Sequence, residues 1–163
     1  MKAFKYVGPS EILARSRDAP KGAAIASRDD AAAWFRAHGR DESGWATYVV
    51  NLAGELLVAP RRSEHVACAG GEPVLAAGEI RFDLDGSVLD ISNHSTGYCP
   101  SEDCWEAARA AFDRASLRRP DAFTRVVVFR RCASCGERNL VKDDWFVCAL
   151  CDAELPVAWN FDA

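Results

Sequence analysis

Four cysteines near the C-terminus constrain the fold of this chain more than any other feature of its sequence. They form two pairs with the same internal spacing, Cys132-x-x-Cys135 and Cys148-x-x-Cys151. A tight Cys-x-x-Cys loop supplies two corners of a tetrahedron, and zinc binds four thiolates in that geometry at about 2.3 Å. The sequence therefore predicts a tetrathiolate zinc site that closes the end of the chain into a small zinc ribbon.

The residues around the cysteines fit this prediction. Gly136 follows the first pair and Asp152 follows the second, and both positions suit a residue that tolerates a positive φ. Residues 139–141 and 145–147 are predicted to form two short strands joined around residues 142–144. Because sulfur fills all four positions on the metal, water has no place there, and we expect the zinc to be structural rather than catalytic.

Three other uses of these cysteines compete with zinc. An iron site of the rubredoxin type takes the same four ligands. Two disulfides need an oxidising compartment, whereas the segment that begins at Met1 does not resemble a signal peptide and the seven cysteines are an odd number. A redox dithiol needs one pair only and leaves the second unexplained. Zinc is favoured over all three.

Composition and charge narrow the class of protein. Apolar residues make up 49% of the chain, with five Trp and eight Phe, which is ample for the core of one domain. No apolar run approaches the length of a membrane span, so we expect a cytoplasmic protein that makes no membrane contact. A nucleic-acid partner is not expected, because phosphate binding needs a cationic excess. From residue 125 onward the basic residues are outnumbered by acidic ones: Arg125, Arg130, Arg131, Arg138 and Lys142 against Glu137, Asp143, Asp144, Asp152, Glu154 and Asp162.

Strand and helix patterns alternate before the cysteines. They predict an α+β fold, an antiparallel sheet with two helices, in which a body of residues 1–131 carries the ribbon of residues 132–163. Ser27 is predicted to cap a first helix that ends at Gly39, and Ser101 to cap a second. Strands are predicted at residues 3–7, 11–14, 45–50, 55–58 and 123–129.

The clearest hairpin pattern is Asp85-Gly86, a dipeptide typical of type I′ turns. Pairing outward from this turn gives a register in which both faces of the hairpin agree. Three pairs result: Phe82 with Leu89, Ile80 with Ile91, and Arg81 with Asp90.

Several short motifs follow one another in the middle of the chain. They are the segment 48–58, His65-Val-Ala-Cys-Ala-Gly-Gly71, the segment 73–80 ending Ala-Gly-Glu-Ile, Ile91-Ser-Asn93, Ser95 and Tyr98-Cys-Pro100. In order and spacing, over about residues 45–117, they resemble a domain shared by plant IQ-motif calmodulin-binding proteins and by C-terminal regions of some bacterial polymorphic toxins. The IQ motif itself is absent, so the resemblance does not imply calmodulin binding, and the ribbon lies outside it.

The resemblance implies roles for individual residues. Its histidine position is His65, its glycine pair is Gly70 and Gly71, its acidic residue is Glu79, and its closing loop contains Ser95, Tyr98 and Pro100. Two serines of the family are replaced by Val66 and Ala67, and a second histidine by Thr96-Gly97. A pocket built on those polar groups has lost most of them here.

The candidate site residues follow from these motifs. His65, Glu79 and Tyr98 are candidates for acid–base catalysis and substrate orientation, and Gly70, Gly71 and Ser95 for ligand binding. A second metal site at His94, Cys99 and Cys104 is weighed against a simple buried thiol at Cys104, which is favoured. The aromatic residues expected to pack the ribbon onto the body are Trp145, Phe146 and Trp159.

Two functions remain open from the sequence. The preferred one is a non-catalytic zinc-ribbon protein that binds a protein partner or a small ligand, as an accessory to a bacterial toxin, conflict or regulatory system. The alternative is an enzyme acting on a nucleotide-like or acylated substrate through His65, Glu79 and Tyr98, which rests on analogy with the toxin domains.

Overall fold

The computed structural model describes residues 1–40 and 42–162. In that part of the chain the helices are α1 (Ser10–Ser16), α2 (Arg28–Trp34), α3 (His65–Cys68) and α4 (Trp105–Arg114). A π-helical turn, Phe35–Gly39, continues α2, and a 3₁₀ turn, Glu102–Cys104, leads into α4. The strands are β1 (Ala23–Ile25), β2 (Trp45–Val50), β3 (Leu56–Pro60), β4 (Ala76–Phe82), β5 (Val88–Ile91), β6 (Val128–Arg131) and β7 (Arg138–Val141).

The strands form two antiparallel sheets. Five of them make one sheet in the order β1-β3-β2-β4-β5, and β6 pairs with β7 in the second. The α+β prediction is confirmed. Residues of β2 from Ala46 to Val50 are all buried, and because neighbouring residues of a strand face opposite sides, this central strand is covered on both faces. Helices α3 and α4 each pack against β2 and β3.

The core explains why α4 forms where it does. Ala108 and Phe112 are fully buried, one helical turn apart, and Phe112 lies 6.4 Å from the ring of Tyr48 in β2. The Tyr48 hydroxyl reaches across the core and donates a hydrogen bond to the Ser92 carbonyl oxygen at 2.9 Å. The body therefore buries its largest aromatic residues with their polar atoms satisfied.

The N-terminal strand predictions are wrong. Residues 11–14 lie in α1, where Ile12 and Leu13 pack against the core. Residues 3–7 form no strand, and only Phe4 makes an isolated bridge, with Val74. Strand β1 forms in a stretch for which no strand was predicted, because its backbone completes the edge of the sheet beside β3. Tertiary pairing here overrides a weak local pattern.

The hairpin of β4 and β5, predicted around Asp85-Gly86, follows the predicted register in part. Ile80 pairs with Ile91 and Arg81 with Asp90, and the Arg81 Nε donates to Asp90 Oδ2 at 2.6 Å. Beyond them the prediction is wrong, because a bulge after Arg81 places Phe82 opposite Val88 instead of Leu89.

The turn of this hairpin also differs from a type I′ turn. Gly86 has a φ of 85°, whereas Asp85 does not have a positive φ. The Gly86 N–H donates to the Asp83 carbonyl oxygen at 3.0 Å, and the Asp83 N–H donates to Ser87. This is a three-residue loop whose last residue takes the left-handed conformation, and the bulge between Arg81 and Phe82 restores the predicted register at Arg81 and Ile80.

The two predicted helix caps have different outcomes. The Ser27 hydroxyl accepts a hydrogen bond from the Asp30 N–H at 3.1 Å, so the first cap is confirmed. Ser101 makes no such bond, because the chain enters the second helix through the 3₁₀ turn at Glu102–Cys104. Its buried hydroxyl has no hydrogen-bond partner within residues 1–40 and 42–162.

The strands near the ribbon form a different hairpin from the predicted one. Of the strand expected at residues 123–129, only Val128 and Phe129 lie in a strand, which is β6. This strand pairs with β7, and the first cysteine pair lies in the connection between them. Residues 139–141 do form a strand, but 145–147 do not, and only Val147 makes an isolated bridge, with Glu154. The division at residue 131 stays a prediction, and the β6–β7 pairing crosses it.

Candidate metal centre

The four cysteine thiols predicted as metal ligands lie together. Their sulfur atoms are all within 4.8 Å of one another. Cys132 Sγ is 3.5 Å from Cys151 Sγ, and Cys135 Sγ is 3.6 Å from Cys148 Sγ. A tetrahedron with sulfur arms of about 2.3 Å has edges of about 3.8 Å. Two of the sulfur pairs are thus close to that edge length, and the cluster as a whole is compact enough for a tetrahedral thiolate site.

Two backbone turns of the same design position these thiols. In the first, the Gly136 N–H donates to the Cys132 carbonyl oxygen at 2.9 Å, and in the second the Asp152 N–H donates to Cys148 at 3.1 Å. Gly136 has a φ of 81° and Asp152 of 60°. Each positive φ lets the chain turn back immediately after the second cysteine of its pair.

Hydrogen-bond donors surround the most buried sulfur. Cys148 is fully buried, and the Asn139 side-chain amide and the Leu150 N–H each lie 3.4 Å from its Sγ. Burial raises the pKa of the Cys148 thiol, but the Cys151 N–H, Asn139 and Leu150 outweigh that effect and bring the pKa to about 6. Donors aimed at a sulfur stabilise the thiolate, which is the form that binds metals.

The thiols are not equal in acidity. The backbone N–H of Cys135 lowers the pKa of the Cys132 thiol. At Cys135 the Glu137 N–H lowers the pKa, but desolvation and the three neighbouring cysteines raise it to about 12. A cluster of four sulfurs so close together does not lose all its protons without a compensating cation, so the geometry is suited to a metal ion.

Asn139 is a functional residue that the sequence analysis missed. Its side chain is buried between the two cysteine pairs. Its amide nitrogen donates to the Glu137 carbonyl oxygen at 3.1 Å as well as to Cys148, and its Oδ1 accepts from the Ala149 N–H at 2.9 Å. An asparagine inside a strand pattern was the available sign, since this residue type is depleted in strands.

Trp159 attaches the ribbon to the body, as predicted. Its indole N–H donates to the Cys99 carbonyl oxygen at 2.7 Å, and its ring meets Phe4 edge-on at 5.5 Å. The same prediction is wrong for Trp145 and Phe146. Residues 145–147 do not form a strand of either sheet. Trp145 is 71% exposed, and Phe146 packs against the buried cluster of the ribbon itself.

Two asparagines hold the chain where the body meets the ribbon. Asn93 is fully buried, and it accepts from the Val127 N–H and donates to the Val127 carbonyl oxygen, both at 2.7 Å. Asn160 binds the N–H and carbonyl oxygen of Arg131 in the same way, both at 2.8 Å. Each side chain acts as a short piece of partner strand, so the segment 127–131 is held at both of its ends.

His65 lies at the start of α3 with its ring committed to the backbone. Its Nε2 is 2.9 Å from the Gly78 carbonyl oxygen. A carbonyl oxygen only accepts, so the neutral ring carries its proton on Nε2. Burial lowers the pKa of His65 to about 4, the bond to Gly78 opposes this change, and nearby His94 adds to it. His65 is therefore neutral near pH 7.

Glu79 and Tyr98 meet other partners. The Glu79 carboxylate is 3.9 Å from Arg61 Nε. The Tyr98 hydroxyl donates to the Glu72 carbonyl oxygen at 2.6 Å, and burial raises the pKa of this tyrosine. The described contacts of His65, Glu79 and Tyr98 thus go to separate groups, and none of those contacts joins two of the three.

The predicted ligand-binding residues shape the backbone. The Gly70 N–H donates to Ala67 and the Gly71 N–H to Val66, both glycines having a positive φ, which is the Schellman pattern that ends a helix. Ser95 is fully buried, and its Oγ accepts from the Tyr98 N–H at 3.4 Å. These contacts give the three residues structural roles in α3 and the 93–100 loop.

The structure does not gather His94, Cys99 and Cys104 into a metal site. Within the described residues, the four-cysteine group is the only cluster of three or more potential metal ligands. Cys99 donates to the Thr96 carbonyl oxygen at 3.4 Å, and Cys104 is 3% exposed. Burial raises the pKa of both thiols to about 12, so Cys104 is the inert buried thiol that the sequence favours.

Comparison of the chain with models of known protein families, with curated proteins and with solved structures gives no significant match. The resemblance to the domain of plant IQ-motif proteins and bacterial toxins therefore stays a prediction. None of the described helices combines the length and apolar character needed to cross a membrane.

Proposed function

We propose that this chain is a small zinc-binding protein whose four-cysteine site holds one structural zinc ion, and that it acts by binding a partner or ligand. The observation that carries the zinc proposal is the convergence of four thiols within 4.8 Å. Four soft sulfur donors in a tetrahedron favour zinc or iron over hard cations, and zinc is the commoner occupant of paired Cys-x-x-Cys loops.

The small core of the ribbon supports a structural role for the metal. Four residues form its buried cluster, Cys132, Val141, Cys148 and Leu155. Two of these four are proposed ligands, so little apolar burial remains to fold the ribbon without the ion. A closed tetrathiolate shell also leaves no open position for a substrate or water. The zinc then supplies folding free energy and no chemistry.

Metal analysis tests the zinc proposal directly. We expect the chain purified without added metal to contain close to one zinc per molecule, and Cys135→Ser to lose most of it. Cys99→Ser is the matched control, because Cys99 lies outside the cluster, and it should retain the zinc. Stoichiometric iron, or equal metal content in the two variants, would refute the proposal.

The binding role rests on a different observation from the zinc. The resemblance to toxin-associated domains, with its lost serines and histidine, suggests an accessory to a bacterial toxin, conflict or regulatory system. Reduced thiols are stable in the cytoplasm, which is the compartment we propose. The contacts of His65, Glu79 and Tyr98 give no comparable support to catalysis, since each side chain is engaged elsewhere.

A further inference from the structure

A cleft of about 610 Å³ opens in the body, far along the chain from the cysteines. It lies among α1, β1, α2, β3 and α3, at the edge of the sheet where β1 pairs with β3. Sites for small organic molecules have volumes of roughly 300–1,000 Å³. The volume of the cleft therefore lies within the range of sites that bind small molecules.

The floor of the cleft is apolar and consists mostly of small side chains. Trp34 and Val58 provide the larger surfaces, and Ala59 and Ala67 lie beside them. All four residues are at most 8% exposed, so they belong to the fixed core and not to mobile loops. Alanines at these positions leave space in the cleft that larger residues would fill. The floor suits a flat or compact apolar group.

The rim carries an excess of positive charge. Arg15 and Lys21 line it, together with His38, whose ring stacks on Trp34 at 4.9 Å, and Glu64, the one acidic residue among the described residues of the lining. Within residues 1–40 and 42–162, neither Arg15 nor Lys21 makes an ion pair or a side-chain hydrogen bond. Two unpaired cations beside one apolar floor favour an anion with an apolar body.

Gly70 gives Lys21 its place at this rim. A Cβ added to Gly70 would lie 2.3 Å from Lys21 Cε, so the lysine stem occupies the space that any other residue at position 70 would need. Gly70 also has a φ of 67° and ends α3. Gly70 thus acts on the cleft indirectly, by leaving room for the lysine stem beside it.

From these features we infer that the cleft binds a small organic anion, with its apolar body on Trp34 and the alanines and its charged group near Arg15 and Lys21. This inference deepens the ligand-binding half of the proposed function and rests on it. It is independent of the identity of the metal.

A pair of matched probes tests the ligand class. The zinc-loaded, isotope-labelled chain is titrated with naphthoate and with naphthylmethanol, which share the apolar body and differ in the carboxylate. We expect saturable changes in the NMR signals of Ala59 and Ala67 with both, and binding of naphthoate tighter by about tenfold, since one charge-assisted contact has that size.

Variants separate the charged rim from the apolar floor. Lys21→Gln and Arg15→Gln should each weaken naphthoate binding by about fivefold or more and leave naphthylmethanol unchanged. Arg17→Gln is the control, because Arg17 is exposed and outside the cleft. Ala23→Leu fills the cleft from an exposed position and should weaken the binding of both probes. Ala24 is the next residue of β1 and is also exposed, but it does not line the cleft, so Ala24→Leu should leave the binding of both probes unchanged.

Failure of this inference is distinguishable from failure of the zinc proposal. A zinc-loaded chain that shows no saturable binding, or that binds naphthoate equally well after Lys21→Gln and Arg15→Gln, overturns the anion site alone. A chain that binds naphthoate at the cleft but contains no zinc overturns the metal proposal alone.

Discussion

The body and the ribbon of this chain are stabilised by different physical effects. The body has a continuous core with fully buried Tyr48, Phe112 and Ile80 and a sheet whose central strand is covered on both faces. The ribbon has four buried residues in its cluster, two of them cysteines of the candidate metal site. Hydrophobic burial suffices for the first region, whereas the second has little of it and, in our proposal, is cross-linked by the metal.

Hydrogen bonds are also used differently in the two regions. In the body, buried side chains such as Tyr48 and Asn93 bind backbone carbonyl oxygens and hold loops in place. In the ribbon, Asn139 and Leu150 direct N–H groups at Cys148. The first kind of hydrogen bond satisfies polar groups inside a core, and the second stabilises the thiolate form of a cysteine, which is the form that binds metal ions. This contrast predicts that the two regions respond separately to metal removal.

The largest expected effect is that of removing the metal. Binding of structural zinc contributes on the order of 10 kcal/mol to folding of small zinc modules. With a strong chelator we expect amide hydrogen exchange at Val141 and Leu155 in the ribbon to become fast, while Val49 and Ile80 in the body stay protected. Hydrogen exchange followed by NMR measures the two regions in one experiment.

Cys148→Ser should reproduce the effect of the chelator, and Cys99→Ser should not. Loss of protection throughout the body after chelation would show that the two regions fold as one unit. Unchanged exchange in the ribbon would show that its small apolar cluster is sufficient without a metal.

The sequence predicts the ribbon site better than the body around it, for a physical reason. Four ligands at fixed spacing encode their own geometry, and the positive φ at Gly136 and Asp152 follows from the same turns. Strand 45–50 was found because its apolar pattern is strong, and strand 139–141 because a zinc ribbon places strands between its two cysteine pairs. The pairing of β6 with β7, and the helix at residues 11–14, depend on contacts between distant segments that local patterns do not contain.

The candidate residues of the body show a second limit of sequence reasoning. His65 was considered as a base, but its chemistry is set by the Gly78 carbonyl oxygen, thirteen residues away. The cleft beside Trp34 was not predicted at all, because its lining comes from five separate elements. Asn93 was noticed only as part of a motif, and its bonds to Val127 appear once the chain is folded.

The next largest effect is expected where the two regions join. Asn93→Ala leaves the Val127 N–H and carbonyl oxygen without partners in a fully buried place, and we expect a loss of roughly 2–4 kcal/mol in unfolding free energy. Asn160→Ala removes the same pair of bonds at half-buried Arg131, where water can replace them, so about 1 kcal/mol is expected. Urea unfolding of both variants measures the difference. Equal losses would mean that burial of Asn93 does not increase the contribution of its hydrogen bonds to the unfolding free energy.

The last expected effect, at the low end of the range given for Asn93→Ala, is a pH dependence of the body from His65. Its pKa is about 4 in the folded chain and higher when unfolded, so the unfolded chain takes up the proton first. The stabilisation is complete above about pH 6.5 and is lost as the pH falls toward 4. Between pH 7 and 5 the body should lose about 2 kcal/mol of unfolding free energy through this residue.

The variant His65→Gln tests this assignment. Its amide can still donate to Gly78 but does not titrate, so urea unfolding followed by NMR signals of the body should show a smaller loss on acidification. An equal loss in the variant would place the pH dependence elsewhere, with release of metal from the ribbon as the first alternative.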